Sequence, residues 1–320
     1  MGEPPFRPAE SIGPEVIERI ARFAIHRAAR VRAVTTLSGR SINPVLSVEL
    51  DGGPSIILKI RHGVGHSPFW AEAYQLQYLA EKQILPVPRV LAHGSDGANG
   101  PYTYLILERL PGIQWAAAQA SLTSSQWRLL QEELGTLIGT LHREVTADAF
   151  GDVLPESSRP SGSWADFFSR MWRDRIQELL NSDRLDPPTL EAVAWIHGNL
   201  PRLLDSNDAP RLVHGNLGPT KILCAERKGQ GERWGVSGIL DPALLFAHCE
   251  VELAGLELLE AADDVFLASY RKQKPLAEGY DLRKRIYMLY TVLDQVRLYG
   301  DTHYILNAMD RVRDLLRQCG

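Results

Sequence analysis

The side chains best placed to do chemistry lie in two stretches: Arg211-Leu212-Val213-His214-Gly215-Asn216-Leu217-Gly218-Pro219-Thr220-Lys221-Ile222-Leu223-Cys224 and Val236-Ser237-Gly238-Ile239-Leu240-Asp241-Pro242. Two short apolar runs flank a polar turn, and a third apolar run ends on a single aspartate. This pattern predicts strand, loop, strand, hairpin and strand, with Asp241 presented at a strand end. A carboxylate in that position can hold Mg²⁺ together with phosphate oxygens. The Asn216 amide can orient a hydroxyl through its carbonyl oxygen, but it is not a base near pH 7. The Lys221 ammonium has donors only. It can pair with Asp241 and fill a metal site, supply positive charge to phosphates, or leave Asp241 to carry one ion. Opposite charges about 4 Å apart attract by roughly 4 kcal/mol at an effective dielectric near 20, before desolvation. That is enough to compete with weak Mg²⁺ binding.

Elements upstream must position a partner for these groups. Pro14 to about Ala29 carries a helical stripe opened by Gly13-Pro14. Three β-rich runs follow, Arg32–Leu37, Val45–Leu50 and Ser55–Ile60, with Asp51-Gly52-Gly53-Pro54 as a tight turn. The turn from Leu37 through Ser38 and Gly39 to Pro44 sits where a nucleotide-covering loop would lie, although its one glycine also suits a plain hairpin. Lys59 stands in the third run, where a lysine is ordinarily a solvent-face residue. Glu72 lies early in a helix over Pro68 to Lys82, where an acid can simply face the helix dipole. The order strand, loop, strand, strand-Lys, helix-Glu supports a different pairing, a Lys59–Glu72 ion pair that aligns ATP phosphates. Val87 to Gly94 and Pro101 to Gly112 complete five strands.

Beyond Gly112 the chain reads as helices: Leu122–Glu144, Trp164–Leu180, Pro188–Leu204 (ended or kinked by Pro201), Glu250–Tyr270, Asp281–Gly300 and His303–Gln318. His142 reads as a packed or capping histidine. Trp164, Phe168 and Trp172 could touch a ligand, but at helical spacing they read first as core. The chain has 320 residues, enough for two lobes. Hydrophobic and charged fractions of 44% and 23% and a net charge of −4 suit a soluble protein with no basic field for nucleic acid or anionic membrane. Met1-Gly2-Glu3-Pro4-Pro5 shows no charged-then-apolar layout, and Phe6 stands where N-myristoylation wants Ser or Thr. Cys224, Cys249 and Cys319 have no metal spacing, which points to a reducing cytoplasm.

The catalytic-type loop resembles that of the aminoglycoside phosphotransferases and fructosamine (ketosamine) kinases, which reads His-Gly-Asp, four residues, Asn, and is followed by Ile-Asp-Pro. Here the loop reads His214-Gly215-Asn216, with Asn216 in place of the Asp and Lys221 in place of the metal-binding Asn, and Leu240-Asp241-Pro242 follows in place of Ile-Asp-Pro. The run Asp241-Pro242-Ala243 to Leu253-Ala254 is similar to the fructosamine kinase pattern, with Ala247, Cys249 and Glu252 in place of Gly, Arg and Asp. The resemblance covers nearly the whole chain. It implies an α+β, protein-kinase-like bilobal fold, with an N-lobe of residues 1–110 around a five-stranded antiparallel sheet and a mainly helical C-lobe of 111–320. It also implies ATP and Mg²⁺ as cofactors. Ser38, Gly39, Lys59, Glu72 and the backbone near Glu108 to Leu110 would hold nucleotide, with the last of these on the adenine edge. Asp241 would hold metal, and His214 and Asn216 would occupy the catalytic loop. In the family the loop aspartate accepts the acceptor proton. Losing a general base typically forfeits about 10²–10⁴ in rate. The first expectation is therefore a pseudokinase with impaired or absent transfer that binds nucleotide, a small molecule or a protein partner. The second is a working, atypical ATP-dependent phosphotransferase acting on an amino sugar, ketosamine or related metabolite.

Overall fold

A computed structural model describes residues 12–37, 43–63, 68–95, 102–155, 159–227, 229 and 233–319. The first elements are α1 (Pro14–Ala24), β1 (Val31–Thr36), β2 (Val45–Leu50), β3 (Ile56–His62), α2 (Pro68–Lys82), β4 (Val90–Ser95) and β5 (Tyr102–Glu108). Next come β6 (Ile113–Gln114), α3 (Trp115–Ser121), α4 (Ser124–Glu144), β7 (Gly151–Asp152), α5 (Trp164–Leu180), α6 (Pro187–Gly198) and α7 (Leu200–Leu203). The remainder are β8 (Arg211–Val213), β9 (Ile222–Glu226), β10 (Trp234–Ile239), β11 (Leu245–Ala247), α8 (Glu250–Leu258), α9 (Asp264–Gln273), α10 (Tyr280–Tyr299) and α11 (Thr302–Cys319). The chain divides into two compact units. One comprises Met1–Ile113, Leu223–Ala225 and Val236–Pro242, and the other Gln114–Ile222, Glu226–Gly235 and Ala243–Gly320.

The first unit is built on a five-stranded sheet in the order β1-β2-β3-β5-β4, antiparallel throughout. Side chains alternate across its faces. Ile56, Leu58 and Ile60 of β3 and Tyr104 and Ile106 of β5 join Ile17 and Ile20 of α1 in one core. Leu105 and Leu107 face the other way, against Phe69, Ala73 and Leu76 of α2. Lys59 pairs with Leu105 across the strands, and this parity turns it toward the α2 face. Because helices cover both faces of the sheet, a lysine that would be solvated in a half-exposed strand is only 9% exposed here.

The second unit is mainly helical. Its core gathers Trp164, Phe168 and Trp172 of α5 with Ile286, Tyr287 and Leu293 of α10 and Val312 and Leu315 of α11. A capping box of Thr123 and Gln126 starts α4. A short sheet, β7-β11-β8, carries the chain into the loop after β8. Three expected helices differ in extent. The first stops at Ala24. Pro201 opens a separate short helix, α7, where its missing N–H is harmless. The expected helix over 250–270 is two: Glu260 takes φ +56°, and the Asp263 carboxylate then caps α9 by accepting from the amides of Val265 and Phe266. Among the described residues, no helix is long and apolar enough to cross a membrane.

Candidate active site

The first unit brings Lys59, Glu72 and Asp241 together. Lys59 Nζ lies 2.6 Å from Glu72 Oε1 and 2.5 Å from Asp241 Oδ1. Strand parity sends Lys59 toward α2, and α2 presents Glu72. Asp241 arrives from the end of β10, which is tied to the first unit by an Ile239 N–H bond to Pro86 O at 2.7 Å. Asp241 has φ +54°, a left-handed conformation that Asp tolerates better than most residues. Such a conformation is typical of positions where the surroundings over-determine the backbone. Burial pulls the Lys59 pKa down, but the two carboxylates outweigh it and hold the ammonium above the ordinary lysine value. One ammonium between two carboxylates leaves a net charge of −1, suited to a divalent cation arriving with an anionic ligand.

The donor set fits one Mg²⁺ ion shared with phosphate oxygens. Asp241 would be the carboxylate to hold it, and an ammonium such as Lys221 has no lone pair to offer as a second ligand. Among the described residues, no group of three or more His, Cys, Asp or Glu could hold a metal by itself. Mg²⁺ would supply charge neutralisation to the phosphates.

In the second unit, His214, Asn216 and Lys221 lie on the loop between β8 and β9. His214 is fully buried, Asn216 is exposed and Lys221 is half-buried. Gly215 has φ +76°, and a Cβ there would sit 2.1 Å from Ala243 O, so only glycine fits. Ala243 N–H donates to His214 O at 2.9 Å. The Asn216 backbone N–H donates to His214 Nδ1 at 3.3 Å, which makes that ring nitrogen the acceptor.

A buried chain beneath this loop was not assigned from the sequence. Gly215 N–H donates to Glu252 Oε1 at 2.9 Å, Glu252 Oε2 meets His142 Nε2 at 3.0 Å, and His142 Nδ1 meets Tyr270 Oη at 3.0 Å. Burial alone would raise the Glu252 pKa. The hydrogen bonds from His142 and from the Gly215 amide hold it below the usual carboxylate range. In sequence Glu252 showed only as a departure from Asp, and His142 as a packing residue.

The remaining site expectations fall as follows. Ser38 and Gly39 lie outside the described residues. Glu108 closes β5, where its N–H donates to Arg89 O at 2.9 Å, so that amide is already taken within the sheet. Trp164, Phe168 and Trp172 are core residues, 3%, 0% and 0% exposed. Trp164 Nε1 donates to Tyr287 Oη at 2.8 Å, and that hydroxyl lies 3.1 Å from His248 Nδ1. Cys249 is buried, its thiol pKa is pushed up to about 12, and it is therefore an inert thiol.

His248 stacks on Trp164, and burial lowers its pKa from 6.5 to about 4. The unfolded chain thus binds this proton more readily, so stability is present above pH 6.5 and is lost as pH falls from 6.5 toward 4. The shift corresponds to about 3 kcal/mol at about 1.4 kcal/mol per pH unit. Melting temperatures measured across that window should fall for the unmodified chain and show a visibly flatter slope for His248→Phe. Equal slopes would mean that His248 is not the titrating group.

A model of the fructosamine kinase family matches residues 15–318. A probable ketoamine kinase of Synechocystis sp. is 28% identical over 300 residues, covering 91% of each chain. A chloroplastic protein-ribulosamine 3-kinase of Oryza sativa subsp. indica is 24% identical, covering 91% of this chain and 81% of its own. A crystal structure of a candidate fructosamine-3-kinase from Thermobifida fusca superposes with a TM-score of 0.75 at 23% identity, covering 96% and 100% of the two chains. A thermostable mutant of aminoglycoside phosphotransferase APH(4)-Ia, solved with AMP-PNP and hygromycin B, gives 0.67 at 18% identity, covering 94% and 97%. These structural likenesses establish a kinase-like α+β fold.

Proposed function

The chain belongs to the fructosamine kinase family, and from that premise we propose that it is an ATP-dependent phosphotransferase that phosphorylates a hydroxyl of a ketoamine. The observation that carries this reading is Lys59 held between Glu72 and Asp241 at 2.6 and 2.5 Å, an arrangement able to align phosphates. Ketoamine as the acceptor class is supported by the relatives described as ketoamine and ribulosamine kinases. The γ-phosphoryl group passes to the acceptor oxygen, ADP leaves, and the hydroxyl proton is released. Phosphoryl transfer passes through a loose transition state in which positioning and charge stabilisation dominate. Asn216 therefore suffices to orient the hydroxyl, at the cost of the rate a base would add. A reducing cytoplasmic setting belongs to the same proposal.

The alternative is a nucleotide-binding pseudokinase, favoured by Asn216 and Lys221. The two are separated by assaying ATP-dependent phosphorylation of a fructosamine for the unmodified chain and for Asn216→Asp combined with Lys221→Asn. The expected result is measurable turnover by the unmodified chain and a gain of about 10²-fold or more in the double variant. ATP binding without any transfer by the unmodified chain would leave the pseudokinase reading standing.

A further inference from the structure

The segment after β5 is anchored at both ends within the first unit. At one end Glu108 N–H donates to Arg89 O at 2.9 Å. At the other, Ser237 Oγ donates to Pro111 O at 2.7 Å. Proline has no N–H, so this carbonyl is the one backbone polar group Pro111 has, and a side chain on β10 takes it. The next residue, Gly112, has φ +127°, and a Cβ there would sit 2.4 Å from Cys224 O and 2.7 Å from Ser237 Oγ. The backbone thus lies flat against β9 and β10, closer than any side chain would allow. Between the two anchors stand Arg109 and Leu110, outside any helix or strand.

The strand that supplies Ser237 leads directly to Asp241. The two are four positions apart, at most about 13 Å at roughly 3.3 Å per residue. One short piece of chain therefore bears both on the Arg109–Pro111 backbone and on the carboxylate beside Lys59.

We propose that Ser237 is a positioning residue for the nucleotide: its bond to the Pro111 carbonyl holds the Arg109–Leu110 backbone ready for the purine edge of ATP. This rests on the phosphotransferase reading above. A backbone held in its binding shape avoids the ordering cost of association, so releasing it weakens affinity without touching the transfer step. A single neutral hydrogen bond contributes about 0.5–1.5 kcal/mol, which corresponds to roughly 2- to 12-fold.

The test is titration calorimetry with AMP-PNP and Mg²⁺, together with steady-state kinetics, on the unmodified chain, Ser237→Ala and Ser237→Thr. Ser237→Ala should weaken AMP-PNP binding and raise the KM for ATP by about 3- to 10-fold. The kcat and the acceptor KM should stay put, the melting temperature without nucleotide should fall by no more than about 4 °C, and Ser237→Thr, which keeps the hydroxyl, should restore affinity. Unchanged affinity in Ser237→Ala, a fall confined to kcat, or a drop in melting temperature well beyond that of one hydrogen bond would each overturn the role of Ser237. An unmodified chain that binds no AMP-PNP would instead overturn the phosphotransferase reading itself.

Discussion

Asp241→Asn is expected to lower kcat for ketoamine phosphorylation by about 10³-fold while leaving the melting temperature near that of the unmodified chain. The asparagine side chain is nearly isosteric and tolerates the left-handed backbone at φ +54° as well as aspartate does. Lys59 also keeps Glu72 at 2.6 Å, so the ammonium is not left unpaired. What disappears is the carboxylate charge available to a divalent cation. Metal-borne charge stabilisation is worth several kcal/mol in the transition state, and each 1.4 kcal/mol or so is about tenfold in rate. Paired measurements of kcat and melting temperature decide the matter. A variant that keeps a tenth or more of the activity would remove Asp241 from the metal site, and one that unfolds would make its role structural.

The second large effect is one of stability. Glu252→Ala should destabilise the second unit by about 2–4 kcal/mol, because it leaves two buried groups, the His142 imidazole and the Gly215 N–H, without their partner, at roughly 1–3 kcal/mol each. The side chains of His142 and Glu252 are 0% and 2% exposed, so neither can turn to water for a replacement partner. The change also strips the acceptor from Gly215 N–H, at the residue next to Asn216. Chemical denaturation should show the loss, and Glu252→Gln, which keeps an acceptor for Gly215 and a polar group facing His142, should recover part of it. Because the Glu252 pKa is depressed, its contribution is complete above the ordinary value of 4.5 and fades as pH falls through the lower folded value. An alanine variant as stable as the unmodified chain at pH 7 would mean that the loop is held by other contacts.

The sites of these two residues mark the divide between what could be read from the chain and what could not. The Lys59–Glu72 pair was legible because the order of strands and helix is a local signal, whereas the contact of Asp241 with Lys59 was not foreseen, since the chain alone offered Asp241 either to Mg²⁺ or to Lys221. Glu252 and His142 were not legible either, since they sit 110 residues apart on helices whose packing no local pattern reports. Lysine 59 also illustrates a misleading prior. A strand lysine is usually solvated, and only the second covering helix makes this one a buried ligand. The break between α8 and α9 was missed for a related reason: the apolar spacing runs on past Leu256, while the interruption depends on a single positive φ at Glu260 and the Asp263 cap. For Ser38 and Gly39 the reading stays at the level of sequence.

The composition of the first unit bears on how the chain folds as it is made. Its sheet is encoded before residue 113, yet Leu223–Ala225 and Val236–Pro242 belong to the same unit. At about 5–20 residues per second, residue 242 leaves the ribosome roughly 6–26 s after residue 113. For that interval Lys59 has Glu72 but not Asp241, and the five-stranded sheet waits for the β9 and β10 segments that complete its unit. A gene fragment cut at the apparent lobe boundary would be arrested permanently at that stage.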